Sequence, residues 1–257
     1  MTPKSLSCAL VLAAAMASGG IVQAADIKVL ASNSVRTMLE DVAPRFARAS
    51  GHTITLAFAT SAQVARRVQA GETADVVLIT PEEIDTLIGR RLVASGSRVD
   101  VARSLMGLAV RAGAPHPDIG TAEALKRVLI AARTVTFSDP ATGAASGVHT
   151  VRIFERLGIA DEMKPKYRLG DGTTSGRIVA SGEAELAIWQ ISAIKAVSGI
   201  ELVGPLPAEL QFITYLSAGL GASATAPDAA RAFIGFFKSP EAAAAMKTRG
   251  LEPGGGL

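Results

Sequence analysis

The chain has 257 residues, 49% of them hydrophobic, 4% aromatic and 19% charged, a composition that folds and is not that of a disordered polymer. Basic and acidic residues number 26 and 23, for a formal net charge of +3, and the basic residues are scattered. The longest basic runs are pairs, among them Arg66-Arg67 and Arg90-Arg91, without interleaved aromatics, which argues against a nucleic-acid groove.

Met1 to Ala24 reads as a cleavable secretory leader. Lys4 is its one charge, Leu6 to Ala17 is its apolar stretch, and Val22-Gln23-Ala24 supplies a small-residue cleavage site. The mature protein is therefore expected to begin at Ala25 and to be periplasmic. The stretch is too short to span a bilayer, and no later segment offers about 18 uninterrupted apolar residues. Cys8, the one cysteine, falls inside the leader, so the exported chain can form no disulfide.

From there strands and helices alternate. Ile27 to Ala31 is a predicted strand that runs into Ser32-Asn33-Ser34 and a helix. Val35, Met38, Leu39, Val42 and Phe46 form one apolar stripe on that helix, and Gly51 closes it. Thr53 to Ala59 is rich in β-branched residues and predicts a strand, with Thr60-Ser61-Ala62 opening the next helix. Asp75 to Ile79 fits a buried parallel strand, and Pro81-Glu82-Glu83 suits a first helical turn. Short links in a strand–helix–strand series imply a parallel sheet with right-handed crossovers.

Around Ser104 the pattern restarts. Leu105 to Arg111 and Thr134 to Ser138 predict strands, with a helix from Thr121 to about Ile130 between them. After the small-residue loop Asp139 to Gly147 comes a helix bearing Val151, Phe154 and Leu157. Asp171 to Ser175 is a second polar loop, leading into a short helix through Ile178 and Val179. Leu186 to Trp189 is a predicted strand, Ile191 to Val197 a helix and Phe212 to Ala218 a strand. Helices over about Pro227 to Lys238 and Pro240 to Arg249 finish the chain. The expected fold class is α/β. It has two lobes, each a mainly parallel sheet flanked by helices: 25–104 with 212–257, and 105–211 inserted through two hinge crossings.

Four polar segments fall where strands end and helices begin: Ser32-Asn33-Ser34, Thr60-Ser61, Ala144 to Gly147, and Asp171 to Thr174. Ligands of open α/β sheets sit at such strand ends, where helix N-termini offer unpaired N–H groups and partial positive charge. Neutral donors suit a buried anion, because a buried lysine or arginine carries a desolvation cost. The bland alternative is that these hydroxyls only cap helices. Arg36, near the first loop, offers a bidentate partner for a carboxylate, and His149 lies at a helix start in the second lobe.

Several stretches resemble the periplasmic solute-binding proteins of molybdate-type ABC transporters. They include Val29-Leu30-Ala31-Ser32-Asn33-Ser34, Phe58-Ala59-Thr60-Ser61-Ala62-Gln63-Val64-Ala65-Arg66 and Gln69 to Val76. Asp139-Pro140, Ser146-Gly147, Leu157-Gly158, Gly182 to Ile188 and the C-terminal Phe233, Phe237 and Lys238 to Ala242 continue the likeness. The resemblance implies ligand hydroxyls at Ser34 and Ser61, with Asn33 and Thr60 beside them. It implies backbone contacts at Ser146 and Gly147, and at Gly172 and Thr173. The family's usual tyrosine falls on Gln190, and its frequent aspartate on Ala193. The resemblance implies capture of a molybdate- or tungstate-like oxyanion in an interlobe cleft, and those departures keep a sulfate-like anion or a small carboxylate as the alternatives.

The resemblance implies a monomer that feeds an ABC permease, with a sensor as the other possible partner. It implies no cofactor and no protein-ligated metal. Catalysis is not expected. His52, His116 and His149 have no metal-ligand spacing and Gly-x-Ser-x-Gly is absent, so a triad of Ser61 or Ser146 with His149 and Asp171 has little behind it.

Overall fold

The computed structural model describes residues 24–142, 144–170 and 174–255. The expected leader up to Gln23 lies outside them, as do Asp171, Gly172 and Thr173. The first run comprises β1 (Asp26–Ser32), α1 (Arg36–Ser50), β2 (Thr53–Ala59), α2 (Ser61–Gln69), β3 (Val76–Ile79), α3 (Pro81–Gly89) and β4 (Val99–Ser104). A second run follows: β5 (Met106–Arg111), α4 (Ala122–Ala131), β6 (Val135–Ser138), α5 (Ala145–Arg156), α6 (Ala160–Met163) and β7 (Tyr167–Gly170). It continues through α7 (Thr174–Ala180), β8 (Leu186–Gln190), α8 (Ile191–Ile194) and β9 (Ile200–Pro205). The chain then returns with β10 (Thr214–Leu220), α9 (Pro227–Phe236), α10 (Pro240–Thr248) and β11 (Glu252–Pro253).

Two mixed sheets result. The first has the order β11-β4-β10-β3-β1-β2, the second β7-β6-β8-β5-β9. Strands β1 to β3 pair in parallel, as do β6, β7 and β8, which matches their apolar runs and helical crossovers. The strands leading to and from the crossovers, β4, β5 and β10, pair antiparallel to their neighbours. Each sheet is covered on both faces. In the first, Ile27, Val29 and Ala31 point toward the α1, α9 and α10 core, while Leu30 joins Val64, Ile84 and Leu87 beneath α2 and α3. In the second, Val135 and Phe137 pack with Ile153 and Phe154, and Ala187 and Trp189 pack with Val179 and Ile194.

Local chemistry explains the boundaries. Gly51 ends α1 at φ 74°, its N–H reaching the Ala47 carbonyl, a conformation that suits glycine. Thr60 opens α2 with a full capping box: its Oγ1 accepts from the Gln63 N–H at 3.2 Å, and Gln63 Oε1 accepts from the Thr60 N–H at 3.0 Å. Asp75, 3% exposed, precedes β3 and caps a distant helix. Its carboxylate accepts from the Lys28 N–H (2.8 Å), the Thr225 N–H (2.6 Å) and hydroxyl (3.1 Å), and the Ala226 N–H (3.1 Å) at the start of α9.

Some sequence expectations change. Strands β4, β7, β9 and the two-residue β11 lie outside the predicted strands. Helix α8 stops at Ile194 and not Val197, and β10 starts at Thr214 and not Phe212. Asp75 stands outside β3 because its carboxylate is spent on α9, and α1 is preceded by a 3-10 turn over Asn33–Val35.

Candidate ligand-binding cleft

Strand register locates the cleft. Ser32 lies opposite Ala59, Ser217 opposite Ile79 and Thr214 opposite Ser104, so the carboxyl ends of β1, β2 and β3 share one sheet edge with the end of β4 and the start of β10. In the second sheet Ser138 lies opposite Gly170 and Met106 opposite Gln190, so the carboxyl ends of β6, β7 and β8 share an edge with the start of β5. Leu105 alone separates β4 from β5, so the two edges adjoin at the crossovers. Gln190 Nε2 donates to Thr214 Oγ1 at 2.7 Å across the junction, and Ser104 Oγ lies 3.0 Å from Ser192 Oγ.

On the first lobe, Ser32 Oγ holds the Ser34 hydroxyl at 2.8 Å and accepts from the Ser34 N–H at 3.4 Å; Asn33 and Ser34 are exposed. Thr60 is an N-cap, as the bland reading held, so its hydroxyl is committed to Gln63. Ser61, half-exposed, is the first residue of α2. The N–H groups of Ser61 and Ala62 precede the first helical bond, from Val64 to Thr60, and so lack an acceptor within the helix. Arg36 begins α1. Its guanidinium lies 4.1 Å from the centre of the Phe58 ring, Nη2 donates to Asn33 Oδ1 at 3.0 Å, and Glu40 is 3.9 Å away.

On the second lobe, the first turn of α5 presses on the end of β6. A Cβ on Gly147 would lie 2.1 Å from the Ser138 carbonyl oxygen, so only glycine fits there. Ser146 is buried and turns its hydroxyl inward to Ser138 Oγ at 3.3 Å. The N–H groups of Ala145, Ser146 and Gly147 precede the first bond of this helix, from Val148 to Ala144. His149 Nε2 lies 3.0 Å from the Leu210 carbonyl, and its ring stacks on Phe212 at 5.0 Å between centroids, so this histidine is engaged with the return crossover. The two adjoining edges thus carry Asn33, Ser34, Thr60 and Ser61 on one side and Ser146, Gly147 and Gln190 on the other, with Arg36 at the flank; the expected contacts at Gly172 and Thr173 lie outside the described residues.

The residues that sequence reasoning missed carry no motif: Thr214 and Ser192 work across the junction, and Gln211 ties the return crossover to the second sheet. Two cavities, of about 350 and 430 Å³, lie away from these strand ends. One is bounded by Asp100, Phe237 and Gly254, the other by Arg111, Pro117 and Leu186. No group of three or more His, Cys, Asp or Glu among the described residues is placed to hold a metal ion. No helix among them is long and apolar enough to cross a membrane.

Two α/β lobes on a double crossover, with helix N-termini gathered at adjoining strand ends, define a binding protein of the two-lobed cleft class. The chain belongs to the bacterial extracellular solute-binding protein family, whose pattern it matches over residues 27–252. It is 36% identical to aconitate isomerase of a Pseudomonas species over 233 residues, covering 88% of this chain and 87% of that protein. It is 23% identical to the molybdate-binding protein ModA of Escherichia coli (strain K12), over 93% of this chain and 94% of that one. The periplasmic molybdate-binding protein of Azotobacter vinelandii shares the fold at a TM-score of 0.68 and 21% identity, over 88% of this chain and 98% of that chain. The resemblance to molybdate-type solute-binding proteins is borne out by these matches.

Proposed function

We propose that this protein captures a small organic polycarboxylate in the cleft and delivers it, as a periplasmic monomer, to an ABC permease. The lobes would be 25–104 with 212–257, and 105–211. The carrying observation is the guanidinium of Arg36, held over Phe58 at the flank of the cleft edge with its nearest acid 3.9 Å away. A fixed, incompletely neutralised guanidinium is a fork for a carboxylate. The N–H groups at the starts of α2 and α5, with the Ser34 and Ser61 hydroxyls, supply the neutral donors for the remaining oxygens. Molybdate, the sequence's first expectation, needs no such cation. The higher identity to aconitate isomerase than to the molybdate protein supports the carboxylate reading.

That relative also favours a second reading, isomerisation of the same ligand. One experiment separates the alternatives: thermal unfolding with cis-aconitate, trans-aconitate, citrate, molybdate, tungstate and sulfate, and proton NMR of the aconitates over time. Ligand at 100 times its dissociation constant adds about 2.7 kcal/mol, a rise of roughly 5 to 11 °C for a chain of this size. The proposal expects that rise from a tricarboxylate and none from the inorganic anions. A response to molybdate or tungstate alone would overturn it, and interconversion of the aconitate isomers would establish catalysis.

A further inference from the structure

The two crossovers are fastened unequally to the two lobes. Gln211, at the start of the return crossover, is stitched to the second sheet: its Oε1 accepts from the Met106 N–H at 2.7 Å, and its Nε2 donates to the carbonyls of Met106 (3.1 Å) and Leu206 (3.2 Å). Both crossovers therefore move with the second lobe as far as Met106 and Gln211. On the other side, Ser104 and Thr214 are ladder partners within the first sheet. Between these ends remain Leu105 on one crossover, its carbonyl accepting from the Ile191 N–H at 2.8 Å, and on the other Phe212, its N–H donating to Gln211 Oε1 at 3.1 Å, and Ile213. A change of interlobe angle must be absorbed by the dihedrals of those three residues.

Several contacts among the described residues span this line. Gln190 donates to Thr214 at 2.7 Å, and the hydroxyls of Ser104 and Ser192 are 3.0 Å apart, Ser104 being buried. Lys195 Nζ reaches the Lys247 carbonyl at 3.5 Å. Gly250, at φ 72°, closes against Ile191, where a Cβ would come within 2.8 Å of the isoleucine Cγ2. Phe212, one of the three flexing residues, stacks on His149, which sits on the helix whose first turn lines the cleft.

We infer that Gln190 and Thr214 form an interlobe latch. They are positioning residues that set the angle between the lobes before ligand arrives, and the Gln190 amide acts on the opposite lobe and not on the ligand. The inference rests on the cleft reading for its effect on affinity, but the angle itself is measurable without any ligand. The neighbouring Ser104–Ser192 contact spans the same line beside the latch.

Small-angle X-ray scattering of the ligand-free protein tests this, using Thr214→Val and Gln190→Met, each close in volume to the original, and their combination. Loss of one partly buried hydrogen bond shifts the closed-to-open ratio by about 3- to 10-fold. Each single variant is expected to enlarge the radius of gyration of the ligand-free protein, the double variant no further than either single one. Titration with trans-aconitate then reads affinity: both variants are expected to weaken it by the same factor. If Thr214→Val leaves scattering unchanged, the latch is overturned. It is equally overturned if Gln190→Met weakens trans-aconitate binding while Thr214→Val does not, since the glutamine would then be touching ligand. Absence of any heat from trans-aconitate would count against the carboxylate reading, and the scattering result would still decide the latch.

Discussion

In the proposed reading Arg36 decides the class of ligand, because it is a charged group that both the sequence pattern and the geometry bring to the cleft edge among the described residues. It is half-exposed, and its contacts are a ring face, an amide oxygen and a surface carboxylate at 3.9 Å, so the fold depends little on it. Arg36→Leu is therefore expected to leave the melting temperature nearly unchanged, within about 0.5 kcal/mol. The same variant should weaken carboxylate binding by about 1.5 to 3 kcal/mol, the usual range for a hydrogen bond to a charged group. Calorimetry with the tightest-binding tricarboxylate checks this, and unchanged affinity would remove the guanidinium from the site. At this scale the sequence was legible where chemistry is local. Thr60 and Gln63 announce a capping box three residues apart, and Ser146-Gly147 announces a close helix start. It was silent where partners are distant in the chain. Nothing near Gln190 points to Thr214, 24 residues on, and nothing near His149 points to Leu210.

Helices and strands raise a different question, what holds each one at its place. Asp75 ties three of them together, from β3 to the backbone of β1 and to the first N–H groups of α9. Burial pushes its carboxyl up, but the N–H groups of Lys28, Ala226 and Thr225, with the Thr225 hydroxyl, outweigh burial and leave it below the ordinary value. On the same lobe Glu72 is held down to about 2 by Arg67 and then Lys28, at 2.6 and 3.1 Å. Both carboxyls bind protons more weakly folded than unfolded. They contribute stability above the ordinary carboxylate pKa, and lose it as pH falls through the folded value. For Glu72 that window runs from 4.5 to about 2. Asp75→Asn should lower stability at pH 7 by about 1 to 3 kcal/mol, since charge-assisted bonds to N–H groups become neutral or unmade. Denaturant unfolding at pH 7 and between pH 5 and 2 should show that deficit shrinking with acid; a constant deficit would contradict the assignment. The strands that sequence reasoning missed share a cause. β7 and β9 are the two edges of the second sheet, and β4 is next to the two-residue edge strand β11. Leu169 of β7 is 43% exposed and β4 carries Asp100 and Arg103, so these partly solvated strands lack the continuous apolar run that marks the central ones.

The whole molecule is a pair of three-layer lobes whose parallel strand ends meet at a double crossover. That much could be read from the alternation of elements and the restart near Ser104, because each central strand is buried on both faces and its apolar run reflects it. What the sequence left open is the relation between the lobes. It rests on Gln211, Thr214, Ser192 and Gly250, residues with no motif that act only through the assembled fold. Binding in such a frame shifts an open–closed equilibrium by the contacts the ligand gains only when the second lobe arrives. The central claim is therefore that one anion is held by both lobes together. A crystal structure of the complex with the tightest-binding tricarboxylate tests it most directly. The account predicts ligand oxygens at about 2.7 to 3.2 Å from N–H groups at the starts of both α2 and α5, with a carboxylate on the Arg36 guanidinium. A ligand bound to one lobe alone, or seated in the cavity beside Phe237 or the one beside Pro117, would contradict it.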